Sequence, residues 1–318
     1  MTRVSTTGNY QSALLNLMAA QQQQENASNR LSTRKVATDL TGFGRSSETL
    51  TALKGAESRV QGFLDTGEVV TARLEAQDLA LTQIADALTA VREAVGGVLA
   101  SDSATTLMLD IAGQFQNVSN GLNARHQGGY LFSGADTTNA PVLVGNLSDL
   151  AAAASVAATL NNDSIKPVSR VAENTSVETG YLADGFTFIE DDGVTESHIF
   201  QIFRDIRAYN DNPATGPLTG KPTEAQKAWL TDQLSRIDAA VKSTVDTASR
   251  NGSLQKRMEQ IQTSHEAQKL SLDELVAERT DADMAKAVTD LELSQIAVQA
   301  SAQVVSQLRE VSLLNYLR

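Results

Sequence analysis

A heptad ladder between Val60 and Val98 constrains the fold of this chain more than any other feature. Its positions alternate at steps of three and four, and only Gly67 and Gln77 interrupt an otherwise apolar series. This spacing keeps one side of an α-helix facing a partner helix, over about 60 Å at about 1.5 Å per residue. The sequence therefore predicts a long helical rod. Its predicted seam consists of Val60, Phe63, Val70, Leu74, Leu81, Ile84, Leu88, Val91, Val95 and Val98.

The prolines separate two long helical ends from a different middle. All five prolines lie between Pro141 and Pro222, so both ends lack the strongest helix breaker. After the last proline, Thr223 and Gln226 have the spacing of a capping box, and an apolar stripe begins at Leu230. We expect this stripe to form a returning helix that continues without interruption to the C-terminus, antiparallel to the first rod.

The middle segment has the signals of short strands. The run 185–189 alternates apolar and polar residues, and the turn residues 191–193 follow it. Residues Ile199, Ile202, Phe203 and Ile206 then form one face of a short amphipathic helix, which we expect to pack on these strands or on the rod. This segment is predicted to be a separate surface domain joined at both ends to the rod.

The predicted fold class is mainly α with a smaller β-containing insertion. Two terminal arms form a long antiparallel helical rod, and the insertion is a middle α+β domain. The predicted segments are 1–44 (an N-terminal helix), 45–140 (N-terminal rod helices), 141–222 (the strand-rich middle), 223–280 (the returning rod helix) and 281–318 (a C-terminal helix).

Composition and motifs exclude several function classes. The net charge of −12 disfavours nucleic acid as a partner, because phosphate backbones are bound by clustered Lys and Arg. The chain has no cysteine, and its three histidines lack the spacing of metal ligands. We found no phosphate-binding loop, no nucleophile motif and no membrane-length apolar run. We therefore expect no enzyme, no cofactor, no metal site and no membrane partner.

The C-terminal helix is apolar on more than one face, which is wider than a single seam requires. Neighbouring subunits are one way to bury the excess, and an intrachain helical bundle is the alternative. In the first interpretation, the subunit-interface residues are Leu14, Leu17, Met18 and Leu31 near the N-terminus, and Met284, Val288, Leu291, Ile296, Val304, Leu308, Val311, Leu314 and Leu317 near the C-terminus.

Short motifs at both ends resemble the flagellin family. They are the segments 29–33 and 88–93 in the N-terminal arm and 281–285, 299–301 and 313–318 in the C-terminal arm. The segment 128–134, Gly-Gly-Tyr-Leu-Phe-Ser-Gly, resembles the end of the N-terminal arm in the family members that join the filament to the hook. Residues 34–44 depart from the family pattern.

The resemblance implies a structural subunit of the bacterial flagellum that joins hook and filament, with segments 1–44 and 281–318 as polymerisation helices. Its implied partners are copies of itself, the hook or an adjacent junction protein, flagellin subunits and an export chaperone. The implied location is extracellular, after type III export without a cleaved signal peptide. The alternatives are a filament-forming flagellin and, from another class, a coiled-coil signalling protein. The strand-like middle disfavours the latter.

Overall fold

The structure, a computed structural model, describes residues 2–316 and the side chains of residues 8–309. Its α-helices are α1 (Thr2–Thr33), α2 (Ser47–Ser101), α3 (Leu107–Leu122), α4 (Leu147–Ala152), α5 (Ile199–Asp211), α6 (Glu224–Thr280) and α7 (Met284–Tyr316). Its strands are β1 (Arg125–His126), β2 (Gly129–Tyr130), β3 (Val168–Ala172), β4 (Thr175–Glu178), β5 (Thr187–Ile189) and β6 (Glu196–His198). The prediction of a mainly helical chain with a small β component is confirmed.

The strands form antiparallel pairs rather than one sheet. β1 pairs with β2, β3 with β4, and β5 with β6. The turn predicted at 191–193 connects β5 to β6. Asp192 shapes that turn by accepting hydrogen bonds from the backbone N–H groups of Val194 and Thr195. The chain divides into two compact units, residues 61–266 and the two terminal segments 1–60 and 267–318.

In the unit 61–266, α2 and α6 run antiparallel. Arg92 forms an ion pair with Asp238, while the Asn251 side-chain amide donates to the Leu74 carbonyl at 2.9 Å. The predicted seam residues from Val70 to Val98 are buried, and Val60 and Phe63 are half-buried. The polar side chains Gln77 and Asn251 also lie in this seam. Buried amides of this kind favour one helix register over others.

The ends of the rod helices follow local chemistry. The predicted capping box forms, because Thr223 and Gln226 exchange hydrogen bonds of 2.9 and 3.2 Å at the start of α6. α6 then continues through Asn251 to Thr280. The apolar stripe was expected to continue without interruption, but the helix breaks between Thr280 and Met284, where the predicted segments 223–280 and 281–318 meet.

The segment 141–222 shares its core with the rod instead of forming a domain of its own. Phe115 of α3 contacts Phe200 and Phe203 of α5, with ring centroids 5.1 and 5.5 Å apart. All three rings are fully buried, in one cluster with α2 residues such as Leu88 and with Leu230 of α6. This finding differs from the sequence expectation. The short amphipathic helix α5 supplies apolar surface that the rod alone lacks.

An ion-pair cluster joins the same segments at their edge. The Arg236 guanidinium of α6 donates to both carboxylate oxygens of Glu190, at 2.6 and 2.7 Å, and to Asp205 of α5 at 2.8 Å. The hydrogen bond from Arg236 holds the pKa of Glu190 below its usual range. Paired, two-point contacts of this type are geometrically demanding, so they fix how β5 and α5 sit on α6.

Shared hydrophobic clusters predict that the middle segment and the rod unfold together. Phe203→Ala removes a fully buried ring and is expected to destabilise the unit by about 3–5 kcal/mol. The helical circular dichroism signal of the rod is therefore expected to melt earlier and as a single transition. Val194→Ala, at an 84 % exposed residue, is the control and should leave the melting temperature unchanged. Rod helices that melt at the wild-type temperature in Phe203→Ala would show that 141–222 is independent.

Candidate assembly surface

The terminal helices α1 and α7 pack against each other through small side chains. On α1 the buried positions are Ala13, Ala20 and Ala27, which recur every seven residues. On α7 the buried Ala287 and Ser294 have the same spacing. A seven-residue repeat of small side chains keeps a narrow seam in register along two helices and lets them approach closely. The intrachain contact therefore uses little of the helices' large apolar surface.

Polar contacts stabilise the pair at its inner end. Asp283 accepts hydrogen bonds from the backbone N–H groups of Ala285 and Lys286, at 2.9 and 3.1 Å, and so caps the first turn of α7. Arg30 of α1 lies 3.7 Å from Asp290 of α7, and both side chains are exposed enough for this ion pair to contribute little. Asp283 thus stabilises the N-terminus of α7.

A short backbone bridge joins residues 34–36, which follow α1, to residues 280–282, which precede α7. The N–H of Val36 donates to the Thr280 carbonyl at 2.8 Å, and the N–H of Ala282 donates to the Arg34 carbonyl at 2.9 Å. Lys35 lies 2.5 Å from Asp281, and this hydrogen bond lowers the pKa of the Asp281 carboxyl. Asp281 had been expected at the start of the terminal helix. It instead pairs across the bridge.

The departure of residues 34–44 from the family pattern corresponds to this bridge and to the turn after it. Arg34 adopts a left-handed conformation, with φ of 58°. Asp39 then accepts hydrogen bonds from the Thr41 hydroxyl and the Gly42 N–H, at 2.6 and 2.9 Å. A 3₁₀ turn, Thr41–Ser46, leads into α2. Both terminal helices therefore end at a segment where the chain leaves α-helical geometry.

The predicted interface residues divide by exposure. Those exposed in the structure are Leu14, Met18, Met284, Val288, Ile296 and Val304, and those half-buried are Leu17, Leu31, Leu291 and Leu308. The side chains of Val311, Leu314 and Leu317 lie outside the described residues. Ile296 is 63 % exposed and Met18 is 58 % exposed, which is unusual for side chains of this size on a helix with a buried seam.

The exposed apolar side chains lie away from the alanine seam. Each helical residue advances about 100° around the axis, so Leu14 and Met18 share a face of α1 that is roughly opposite Ala20. On α7, Ile296 lies opposite Ala287, and the remaining exposed apolar residues lie on both flanks. The pair thus buries small residues fully and leucines only in part, and it leaves large apolar residues exposed on its outer sides, which indicates further partners.

Two contributors were missing from the predicted set. Leu15 is 66 % exposed and Leu293 is 60 % exposed, and both enlarge the apolar surface of the terminal pair. The alanine repeat at positions 13, 20 and 27 was also legible in the sequence as a strict heptad. It indicates that small residues form the centre of the seam and that Leu14 and Leu15 beside it are exposed.

Other kinds of site are not apparent in the described part of the chain. Among residues whose positions are described, no group of three or more His, Asp or Glu side chains is arranged to hold a metal ion. No described helix is long and apolar enough to cross a membrane. His265, a seam position, is buried and stacks on Phe63 with ring centroids 5.5 Å apart. Its Nε2 lies 2.9 Å from the Val171 carbonyl.

Comparisons with known proteins identify a matching family region and similar folds. Residues 234–317 match the family described as the bacterial flagellin C-terminal helical region. A protein of Vibrio parahaemolyticus assigned as a flagellar hook-associated protein is 17 % identical, with a TM-score of 0.58 over 76 % of this chain and 99 % of that one. No curated protein sequence is significantly similar.

Two further structures carry the name FlgL. FlgL of Xanthomonas campestris is 14 % identical, with a TM-score of 0.54 over 71 % of this chain and 99 % of that one. The flagellar junction protein FlgL of Legionella pneumophila is 12 % identical, with a TM-score of 0.53 over 74 % of this chain and 99 % of that one.

The C-terminal arm is similar to the helical region of flagellins over residues 234–317. More narrowly, the fold is the one shared by flagellar hook-associated proteins and FlgL. The resemblance to the flagellin family that the terminal motifs indicated is therefore confirmed.

The small side chains between α1 and α7 predict that a larger side chain in the seam is destabilising. Ala20→Leu inserts a larger side chain between α1 and α7 and is expected to cost about 1–3 kcal/mol. Hydrogen exchange in α1 and α7 should accelerate, with no change between residues 61 and 266. Ala19→Leu, at the adjacent exposed position, is the matched control. Equal protection in the two variants would contradict the close packing of this pair.

Proposed function

We propose that this chain is a structural subunit of the bacterial flagellum that joins the hook to the filament and is not an enzyme. It assembles through the outer surfaces of α1 and α7. The observation that carries this proposal is the exposed apolar surface of the terminal pair, together with a fold of the hook-associated type. Surface of this kind is stable in water only when other chains cover it.

The partners follow from this role. Copies of the same chain cover the terminal helices laterally, the hook or an adjacent junction protein meets one end of the assembly, and flagellin subunits meet the other. An export chaperone shields the apolar helices before assembly. The location is the extracellular flagellum, reached by type III export. The monomer's terminal helices gain much of their stability on assembly, since burial offsets the entropy of ordering them.

A filament-forming flagellin is the second candidate. The C-terminal match to the flagellin helical region favours it as much as it favours a junction subunit. The segment 128–134 and the hook-associated fold favour the junction role. The two differ in extent of polymerisation, since a flagellin adds subunits without limit and a junction subunit forms a layer of fixed size.

Ile296→Asp tests the assembly surface. Ile296 is 63 % exposed and lies opposite the α1–α7 seam, so the monomer should keep its helical content and change in stability by only about 0.5 kcal/mol. Assembly onto hooks should be lost, because the carboxylate would be buried without a partner. Circular dichroism of the monomer and recovery of the protein in isolated hook preparations are the measurements.

The test at Ile296 needs a charge control, and Ile296 is a better site for it than Leu308. Ser148→Asp adds the same charge at an exposed polar position of α4, outside the terminal helices, and should assemble normally. Leu308 is a poorer test site, since it is half-buried and a charge there also perturbs the α1–α7 contact. Normal assembly of Ile296→Asp would sink the proposal that this face is buried between subunits. Loss of monomer helix would instead support an intrachain bundle.

A further inference from the structure

The outer face of α2 is acidic. Between Gln61 and Ser101 this helix has six acidic residues and two arginines. Arg92 is occupied by Asp238, and Arg73 is half-buried with its guanidinium 3.5 Å from the Leu131 carbonyl. The acidic residues on this face, all exposed and without an ion pair among the described residues, are Glu68, Glu75, Asp86 and Glu93. They form a straight stripe about 38 Å long.

The outer face of α6 carries the opposite charge. Between Val241 and Met258 it has four basic residues and a single acidic one, Asp246. The basic residues, which are exposed and form no ion pair among the described residues, are Lys242, Arg250, Lys256 and Arg257. From the helical repeat, Lys242 and Lys256 point away from the seam, and Arg250 and Arg257 lie on its exposed flank. The basic face spans about 22 Å along the helix axis.

The two charged faces lie at the same height on the rod. Arg92 of α2 pairs with Asp238 of α6, and the Gln255 side chain of α6 donates to the Leu74 carbonyl at 3.1 Å. The α6 segment from 238 to 255 therefore lies beside the α2 segment from 92 to 74. Because both groups of charges are exposed, the rod has an acidic surface on α2 and a basic surface on α6 at the same height.

We propose that the acidic stripe of α2 binds the basic face of α6 in a second copy of this chain, with the copies standing side by side at equal height. The occupant is a second copy because this one chain presents both faces at the same level of the rod. A contact between two different faces repeats from copy to copy and closes into a ring when the rotation permits. This inference rests on the proposed structural role in the flagellum.

Apolar side chains lie within both faces. Leu79 is 75 % exposed in the middle of the acidic stripe, and Val245 is 45 % exposed beside the basic face. An apolar centre with a charged rim is the usual anatomy of a protein interface. The charges select the partner and its register, while the apolar side chains supply the buried area. Exposed pairs alone are weak, so the contact forms as part of a larger assembly.

The experiment reverses the charges of each face alone and then of both faces together, so that the second reversal compensates the first. Variant A, Glu68→Lys with Glu75→Lys, reverses the acidic stripe. Variant B, Arg250→Glu with Arg257→Glu, reverses the basic face at the same spacing of seven residues. Each purified full-length variant is treated with a carbodiimide, which joins carboxylates to lysines, at low and high salt. Dimer and higher bands are quantified, and crosslinked peptides are identified by mass spectrometry. Asp110→Lys with Asp149→Lys, at exposed positions off both faces, is the control for net charge.

We expect crosslinking between the α2 and α6 stripes in wild type and in the control, and at least about a tenfold loss in A or B alone. Crosslinking should return when A and B are mixed, or when all four reversals are combined in one chain, and should fall at high salt. Absence of α2–α6 crosslinks in wild type, or no recovery on mixing, would overturn the proposal. Such a failure leaves the role of the terminal helices intact, because Ile296→Asp tests that role separately.

Discussion

The structure depends on the seam of small side chains between its two terminal helices. The buried residues there are alanine and serine, half-buried leucines lie beside them in the same seam, and exposed apolar residues such as Met18 and Ile296 lie on the outer sides. Burying small residues contributes little free energy, because the hydrophobic contribution scales with apolar area removed from water. On the proposed function, the pair therefore gains much of its stabilising apolar burial only when other chains cover it. In that role, a subunit built this way gains stability when it assembles.

The rest of the chain has the conventional arrangement. Between residues 61 and 266, α2, α3, α5 and α6 bury aromatic and branched side chains in one cluster, and the Arg236 ion pairs hold its edge. This unit needs no partner to exclude water from its core. In the terminal unit, the bridge between residues 34–36 and 280–282 joins the two arms where both helical paths break. Polar backbone pairing at that point satisfies groups that a helix end otherwise leaves open.

Local and periodic signals in the sequence predicted most of this architecture. The Val60–Val98 ladder, the Thr223 capping box and the apolar face of α5 depend on residues near one another in sequence, and each produced the expected element. Long-range partnership was not predictable in the same way. Nothing in the pattern around Phe203 shows that its ring meets Phe115, so the middle segment was expected to be separate.

The candidate surface was only partly predictable for a related reason. Apolar residues on several sides of α7 indicate that more than one neighbour is needed, but periodicity alone does not tell an intrachain neighbour from another subunit. The alanine repeat on α1 carries that information, since it identifies the side that α7 takes. The pairing of Lys35 with Asp281 joins residues far apart in sequence and had no local signal.

Immunogold electron microscopy of intact flagella tests the central claim most directly. Antibody raised against the native chain should label a single narrow band between hook and filament, and labelling should disappear in a strain lacking the gene. Label distributed along the filament would show that the chain is a filament flagellin. Absence of label from flagella that assemble normally, with the protein present in the culture, would contradict a structural role in the flagellum.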